Sequence, residues 1–145
     1  MNNKMRKLGI DYGDSRVGLA ITDELEITAQ GLETIHHNGN DKLVLKRLDE
    51  ILAQYSIDTF VIGMPINMDG TKTERVQVTE KFIHKLKCKF PKISIATIDE
   101  RLTTVAAHKT MNYLNIDKNK KKQIVDTISA VYILETYMNK QKNNV

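Results

Sequence analysis

The sequence predicts an α/β domain in which a mixed sheet carries helices on its faces. Three observations lead there. Three strand-like runs follow one another at the N-terminus, the apolar period then becomes helical, and strand and helix patterns alternate from that point on. The 145 residues fit one compact domain, expected over 1–139, with 140–145 as a frayed tail. A domain of this size buries roughly two-thirds of its unfolded surface and needs no disulfide or metal staple to fold.

The first two strands are read from Leu8 and Ile10, then Val17, Leu19 and Ile21, each alternating with small or polar residues. Asp11-Tyr-Gly-Asp-Ser15 joins them as a turn. A weaker alternation from Ile27 to Ile35 predicts a third strand, completing an antiparallel meander. After His36-His-Asn-Gly-Asn40, the residues Leu43, Leu45, Leu48, Ile51 and Leu52 recur at helical spacing, with Asn40 or Asp41 as N-cap. Thr59-Phe-Val-Ile-Gly63 is a continuous apolar run of the kind buried on both faces. Gly63 to Gly70 reads as a loop, since it holds two glycines and a proline. Helical spacing returns over Glu74–Lys89 and stops before Pro91. Ile93, Ile95 and Ile98 mark a further strand, and helices are predicted over 103–114 and 121–139 with a polar linker, Asn115–Lys120, between them. The order is β-β-β-α-β-α-β-α-α.

Composition excludes several classes. No apolar run approaches the roughly 20 residues of a membrane-spanning helix. The leading Met1-Asn-Asn-Lys-Met-Arg-Lys7 lacks the apolar core and cleavage site of a secretory leader. A single cysteine, Cys88, forms no internal disulfide, so a reducing cytoplasm is expected. Charge is divided unevenly: residues 1–80 hold 9 Lys/Arg against 13 Asp/Glu, and residues 81–145 hold 13 against 5. A basic half suits a polyanionic partner, and a solvated lysine-rich surface is the plainer alternative.

Carboxylates carry the candidate chemistry. Asp11 follows a strand and lies two residues before Gly13, where a metal or phosphate could approach closely, although Asp and Gly also build ordinary turns. Asp99 and Glu100 close a strand and point to opposite faces if it stays regular, and alternation alone does not say which one faces a cleft. Asp126 lies inside an apolar helix beside the small Ser129 and Ala130, a face able to press on a sheet. Carboxylates from three elements suit the hard cations Mg²⁺ or Mn²⁺. His36, His37, His84 and His108 show no zinc spacing, and Cys88 has no partner base in the sequence. Lys118, Lys120, Lys121 and Lys122 precede the Asp126 helix, where they oppose its dipole and fit an external phosphate backbone.

Gly9-Ile-Asp-Tyr-Gly-Asp-Ser-Arg-Val-Gly-Leu-Ala20, Gly63-Met-Pro65, Asp99-Glu-Arg-Leu-Thr-Thr104 and Asp126-Thr-Ile-Ser-Ala130 resemble the RuvX/YqgF family in order and over almost the whole chain. That family is described both as pre-16S rRNA nucleases and as Holliday junction resolvases. The resemblance implies an RNase H-like fold with a central five-stranded mixed sheet flanked by helices. It implies acidic site residues at Asp11, Glu100 and Asp126, and so selects Glu100 over Asp99. Arg16 and Arg101 fall in the matched blocks, where a planar guanidinium suits carboxylate or phosphate. Ser129 stands where alanine-like residues are usual.

The function so implied is a Mg²⁺- or Mn²⁺-dependent nuclease hydrolysing phosphodiesters of structured RNA, at the 5′ end of the small-subunit ribosomal RNA precursor. Resolution of branched DNA is the alternative, and it requires a homodimer rather than a monomer. A catalytically silent nucleic-acid-binding protein is the non-enzymatic alternative. Gly9-Ile-Asp-Tyr-Gly13 is also similar to the phosphate loop of actin and heat-shock ATPases, which close two such domains around a nucleotide where this length holds one.

Overall fold

The computed structural model describes residues 5–67, 69–103 and 118–143, with side chains of the last stretch from Thr127 onward. Its elements are β1 (Arg6–Tyr12), β2 (Arg16–Thr22), β3 (Ala29–His36), α1 (Asp41–Gln54), β4 (Ile57–Met64), α2 (Glu74–Lys89), β5 (Ser94–Asp99), a 3₁₀ turn (Glu100–Leu102) and α3 (Lys118–Asn143). The predicted helix over 103–114 lies outside the described residues, Thr103 excepted.

The strands form one sheet in the order β3-β2-β1-β4-β5. The meander β1-β2-β3 is antiparallel, and β4 and β5 join parallel to β1. This is the mixed five-stranded sheet expected.

Strand alternation sorts the side chains onto two unequal faces. Leu8, Ile10 and Tyr12 of β1, with Val17, Leu19 and Ile21 of β2 and Phe60 and Ile62 of β4, meet Val44, Leu48 and Ile51 of α1 and Phe82, Ile83 and Leu86 of α2. The other face is shallow. There Ala20, Val61 and Ile98 meet Ala130, Ile133 and Leu134 of α3. Gly9 pairs with Ala20 and Ala20 with Gly31, so a row of small residues crosses three strands. A Cβ on Gly9 would stand 2.8 Å from the Ala130 carbonyl oxygen, and one on Gly31 3.1 Å from Thr127 Cβ. Helix α3 therefore lies almost directly on the backbone of the sheet.

Local chemistry accounts for the boundaries. Asn40 caps α1 by accepting a hydrogen bond from the Lys42 amide at 3.1 Å, with Asp41 in the positive first turn. Replacing Asn40 with alanine should cost about 1 kcal/mol, readable as a shifted denaturant midpoint. Lys87 and Lys89 complement the dipole at the end of α2. Ile27, expected to open the third strand, is 60% exposed instead. The Asp23 carboxylate accepts the Ile27 and Thr28 amides at 2.7 and 3.0 Å, which closes a turn and delays the strand to Ala29. Helix α3 begins at Lys118, inside the expected linker, and continues past residue 139 to Asn143.

Candidate active site

Asp11 is the second-last residue of β1, opposite Gly18 of β2, and is only 5% exposed. Its parity is that of Gly9, so it rises on the α3 side of the sheet. Arg16 shares the parity of Gly18 and Ala20 on β2 and belongs to that side as well. Between them the hairpin is tight. The Gly13 amide donates to the Arg16 carbonyl at 2.9 Å, and a Cβ on Gly13 would lie 2.7 Å from that oxygen. No other residue type fits there without opening the turn.

Two strands away, β5 presents Ala96 and Ile98 to α3, and Glu100 continues their phase into the 3₁₀ turn. Gly63, near the end of β4, forms the floor beneath it. A Cβ on Gly63 would be 3.1 Å from Glu100 Cγ and 2.6 Å from Ile133 Cδ1. Gly63 is one step past Ile62, which pairs with Ile10, just as Asp11 is one step past Ile10. Asp11 and Glu100 thus rise on the same face, at the same end of the sheet, with Gly63 on the strand between them.

Asp99 is engaged differently. It caps the 3₁₀ turn through the Arg101 amide at 2.9 Å, and its two oxygens take the Arg101 guanidinium at 2.6 to 3.1 Å. That guanidinium holds the Asp99 carboxyl below the usual carboxylate range. The alternation that left Asp99 and Glu100 open is resolved by the phase of Ile98. Because the folded pKa of Asp99 is depressed, its contribution is present above the ordinary carboxylate pKa and lost as pH falls through the folded value. Asp99→Ala should therefore lower thermal stability modestly at pH 7, by no more than about 1 kcal/mol for a partly exposed pair. In strong acid the variant and the parent should melt alike.

Asp126 lies on α3, one turn before Ser129 and Ala130, and its side chain falls outside the described residues, as do those of Lys118, Lys120, Lys121 and Lys122. Among the described residues no group of three or more His, Cys, Asp or Glu side chains gathers as a metal site. Arg101 is exposed and occupied by Asp99. One buried group escaped sequence reasoning: His37, expected in a polar loop, is 2% exposed. Ser129, read as a small residue on a sheet-facing side of its helix, is fully buried, and among the described residues its Oγ has no hydrogen-bond partner. Asp11 and Glu100 are hard oxygen donors on the sheet face that packs against the helix carrying Asp126, and Ser129 on that helix has a buried hydroxyl with no partner among the described residues. This donor set fits a hard divalent cation.

The family model described as "RuvX: Holliday junction resolvase" matches residues 5–140. A protein of Ruminiclostridium cellulolyticum, named "Putative pre-16S rRNA nuclease", is 53% identical over 140 residues, covering 97% of this chain and 98% of its own. A protein of the same name from Acetivibrio thermocellus is 50% identical over 134 residues, covering 92% and 95%. Among solved structures, RuvC from T. thermophilus in complex with a Holliday junction substrate superposes with a TM-score of 0.54 at 13% identity, over 94% of this chain and 96% of that one. The fowlpox virus Holliday junction resolvase superposes with a TM-score of 0.51 at 15% identity, over 94% and 99%. At such identities these two share the fold alone, and it is the RNase H-like fold that the motifs implied. With its motifs, its fold and nearly its whole length matched, the chain belongs to the RuvX family.

Proposed function

We propose that the protein is a divalent-cation-dependent nuclease whose metal ligands are Asp11, Glu100 and Asp126. The observation that carries this reading is the shared face of Asp11 and Glu100 at one end of the sheet, with Gly63 keeping the ground between them clear. Mg²⁺ or Mn²⁺ is the cation class that such carboxylates hold. When bound, it would supply the Lewis acidity that activates a water and steadies the leaving oxygen of a phosphodiester.

The chain's own residues do the rest. Asp11, buried at a strand end, keeps its carboxylate in one orientation and away from bulk water. Glu100 rests its methylenes over Gly63, so its carboxylate is set by packing rather than by a flexible stem. Arg16, on the same face, is the guanidinium proposed to meet a phosphate. Lys118, Lys120, Lys121 and Lys122 fall in the first turns of α3, the helix that carries Asp126, where they suit sequence-independent contact with a nucleic-acid backbone.

Structured RNA, at the 5′ end of the small-subunit ribosomal RNA precursor, is the favoured substrate, supported by the names of relatives that match end to end. Branched DNA is the second reading, favoured by the family's own description, and it would require two copies of the chain to present two sites. A cytoplasmic location follows from either substrate. Among the described residues no helix is long and apolar enough to cross a membrane. The deciding experiment compares metal-dependent cleavage of a ribosomal-precursor RNA and a four-way DNA junction by one preparation. Cleavage of the RNA alone supports the first reading, paired nicks in the junction support the second, and metal-independent binding without cleavage would overturn both.

A further inference from the structure

We infer that His37 is a positioning residue for Asp11, acting through the carbonyl of Gly13. The inference rests on the reading of Asp11 as a metal ligand. His37 follows the last residue of β3, and its side chain is wholly buried on the face opposite the carboxylates. Its ring Nε2 lies 2.8 Å from the Gly13 carbonyl oxygen, and its Nδ1 lies 3.1 Å from the Gly39 amide. A carbonyl only accepts and an amide N–H only donates, so Nε2 must carry the proton and Nδ1 must be bare. Asp41 Oδ1 lies farther from Nδ1, at 3.9 Å, beyond hydrogen-bond reach, so the Gly39 amide sets the tautomer.

The backbone of the same segment grips the same turn. The His37 amide donates to the Ser15 carbonyl at 2.9 Å, and the Asn38 amide to the same oxygen at 3.2 Å. One short segment thus holds two carbonyls of the Gly13–Arg16 turn that directly follows Asp11-Tyr12. Tyr12 fixes the strand end from below. Its ring stacks on His37 at 5.6 Å and on Phe82 at 4.2 Å, and its hydroxyl donates to Asp41 at 2.6 Å. Asp41 in turn takes Lys85 of α2 at 2.9 Å. With Tyr12 held down and the next carbonyl clamped, alternation leaves Asp11 one direction, toward α3. Outer partners of metal-bearing side chains commonly change metal affinity or activity about 10- to 100-fold when removed.

The test uses the full chain. In the wild-type protein, ¹⁵N-correlated NMR of the imidazoles should show His37 as the neutral Nε2–H form, and an Nδ1–H form overturns the inference. His37→Phe keeps the ring volume and the Tyr12 stack but removes both nitrogens, while His37→Gln restores a terminal N–H donor. In the Phe variant, Mn²⁺ affinity without nucleic acid, read by titration, should fall about tenfold. Its kcat should fall by a similar factor with KM for nucleic acid unchanged, and Gln should recover most of both. Wild-type Mn²⁺ affinity and kcat in the Phe variant overturn the inference. So do losses in both variants that merely follow the fraction of protein folded. Should the Phe variant fail to fold, the tautomer and the Mn²⁺ affinity of His37→Gln, expected near wild type, still decide. Asp11→Asn separates the two readings, since wild-type cleavage by that variant defeats the metal-ligand assignment itself, whatever His37 does.

Discussion

Asp11→Asn should abolish divalent-metal-dependent cleavage, with a loss of at least about a hundredfold, while nucleic-acid binding persists. The substitution keeps shape and size and removes one negative charge, so packing around this nearly buried residue is retained. The charge stabilisation supplied by a catalytic metal amounts to several kcal/mol, and each 1.4 kcal/mol is a factor of ten in rate. Losing one of the three proposed anionic ligands is therefore enough to account for the expected fall. The backbone contacts proposed for the basic half of the chain do not involve Asp11, so affinity measured in salt titrations should keep its slope. Thermal melts give an independent reading. Saturating Mn²⁺ should raise the Tm of the parent by mass action, and that shift should shrink or vanish in the variant. Unchanged cleavage by Asp11→Asn would remove the central residue from the proposed site.

The sequence announces this site unevenly. Helix α2 falls on the predicted Glu74–Lys89, and β1 and β2 lie where their alternation puts them, because each has a buried stripe with a clean period. Ile27 misleads for the opposite reason. It is apolar and in phase, but Asp23 captures its amide, and no periodicity records a side chain that competes for backbone groups. The choice between Asp99 and Glu100 is of the same kind. Alternation states that they diverge, and only the contact of Ile98 with α3 says which direction leads to Asp11. His37 is hard to read in the sequence because its Nε2 partner is the backbone carbonyl of a turn 24 residues away. Its one sequence signal is that it follows directly on a β-strand. Small neighbours on its helix point to Asp126 in the sequence, and the row Gly9, Ala20 and Gly31 on the sheet is what lets that helix lie close.

That row makes Gly9→Ala the most informative change away from the carboxylates. In a strand, alanine should be slightly better than glycine, by roughly 0.5–1 kcal/mol, since less chain entropy is lost on folding. Here a Cβ would stand 2.6 Å from Leu134 Cγ, 3.2 Å from Leu134 Cδ1 and 2.8 Å from the Ala130 carbonyl oxygen. A new rotamer could move Leu134, but the Ala130 oxygen is helix backbone and moves only with α3. Overpacking of that kind costs typically 1–3 kcal/mol, which outweighs the propensity gain. For a domain of this size the net loss should appear as a Tm lower by up to about 10 °C. Gly31→Ala provides the internal comparison. Its nearest obstacle is the Thr127 side chain at 3.1 Å, so it should cost less. Gly9→Ala should also impair cleavage out of proportion to its effect on folding, because α3 carries Asp126 while β1 carries Asp11. A displacement on the order of 1 Å between catalytic groups can cost about a hundredfold in rate. A Gly9→Ala protein as stable and as active as the parent would show that α3 need not lie on bare backbone to bring its carboxylate to the sheet.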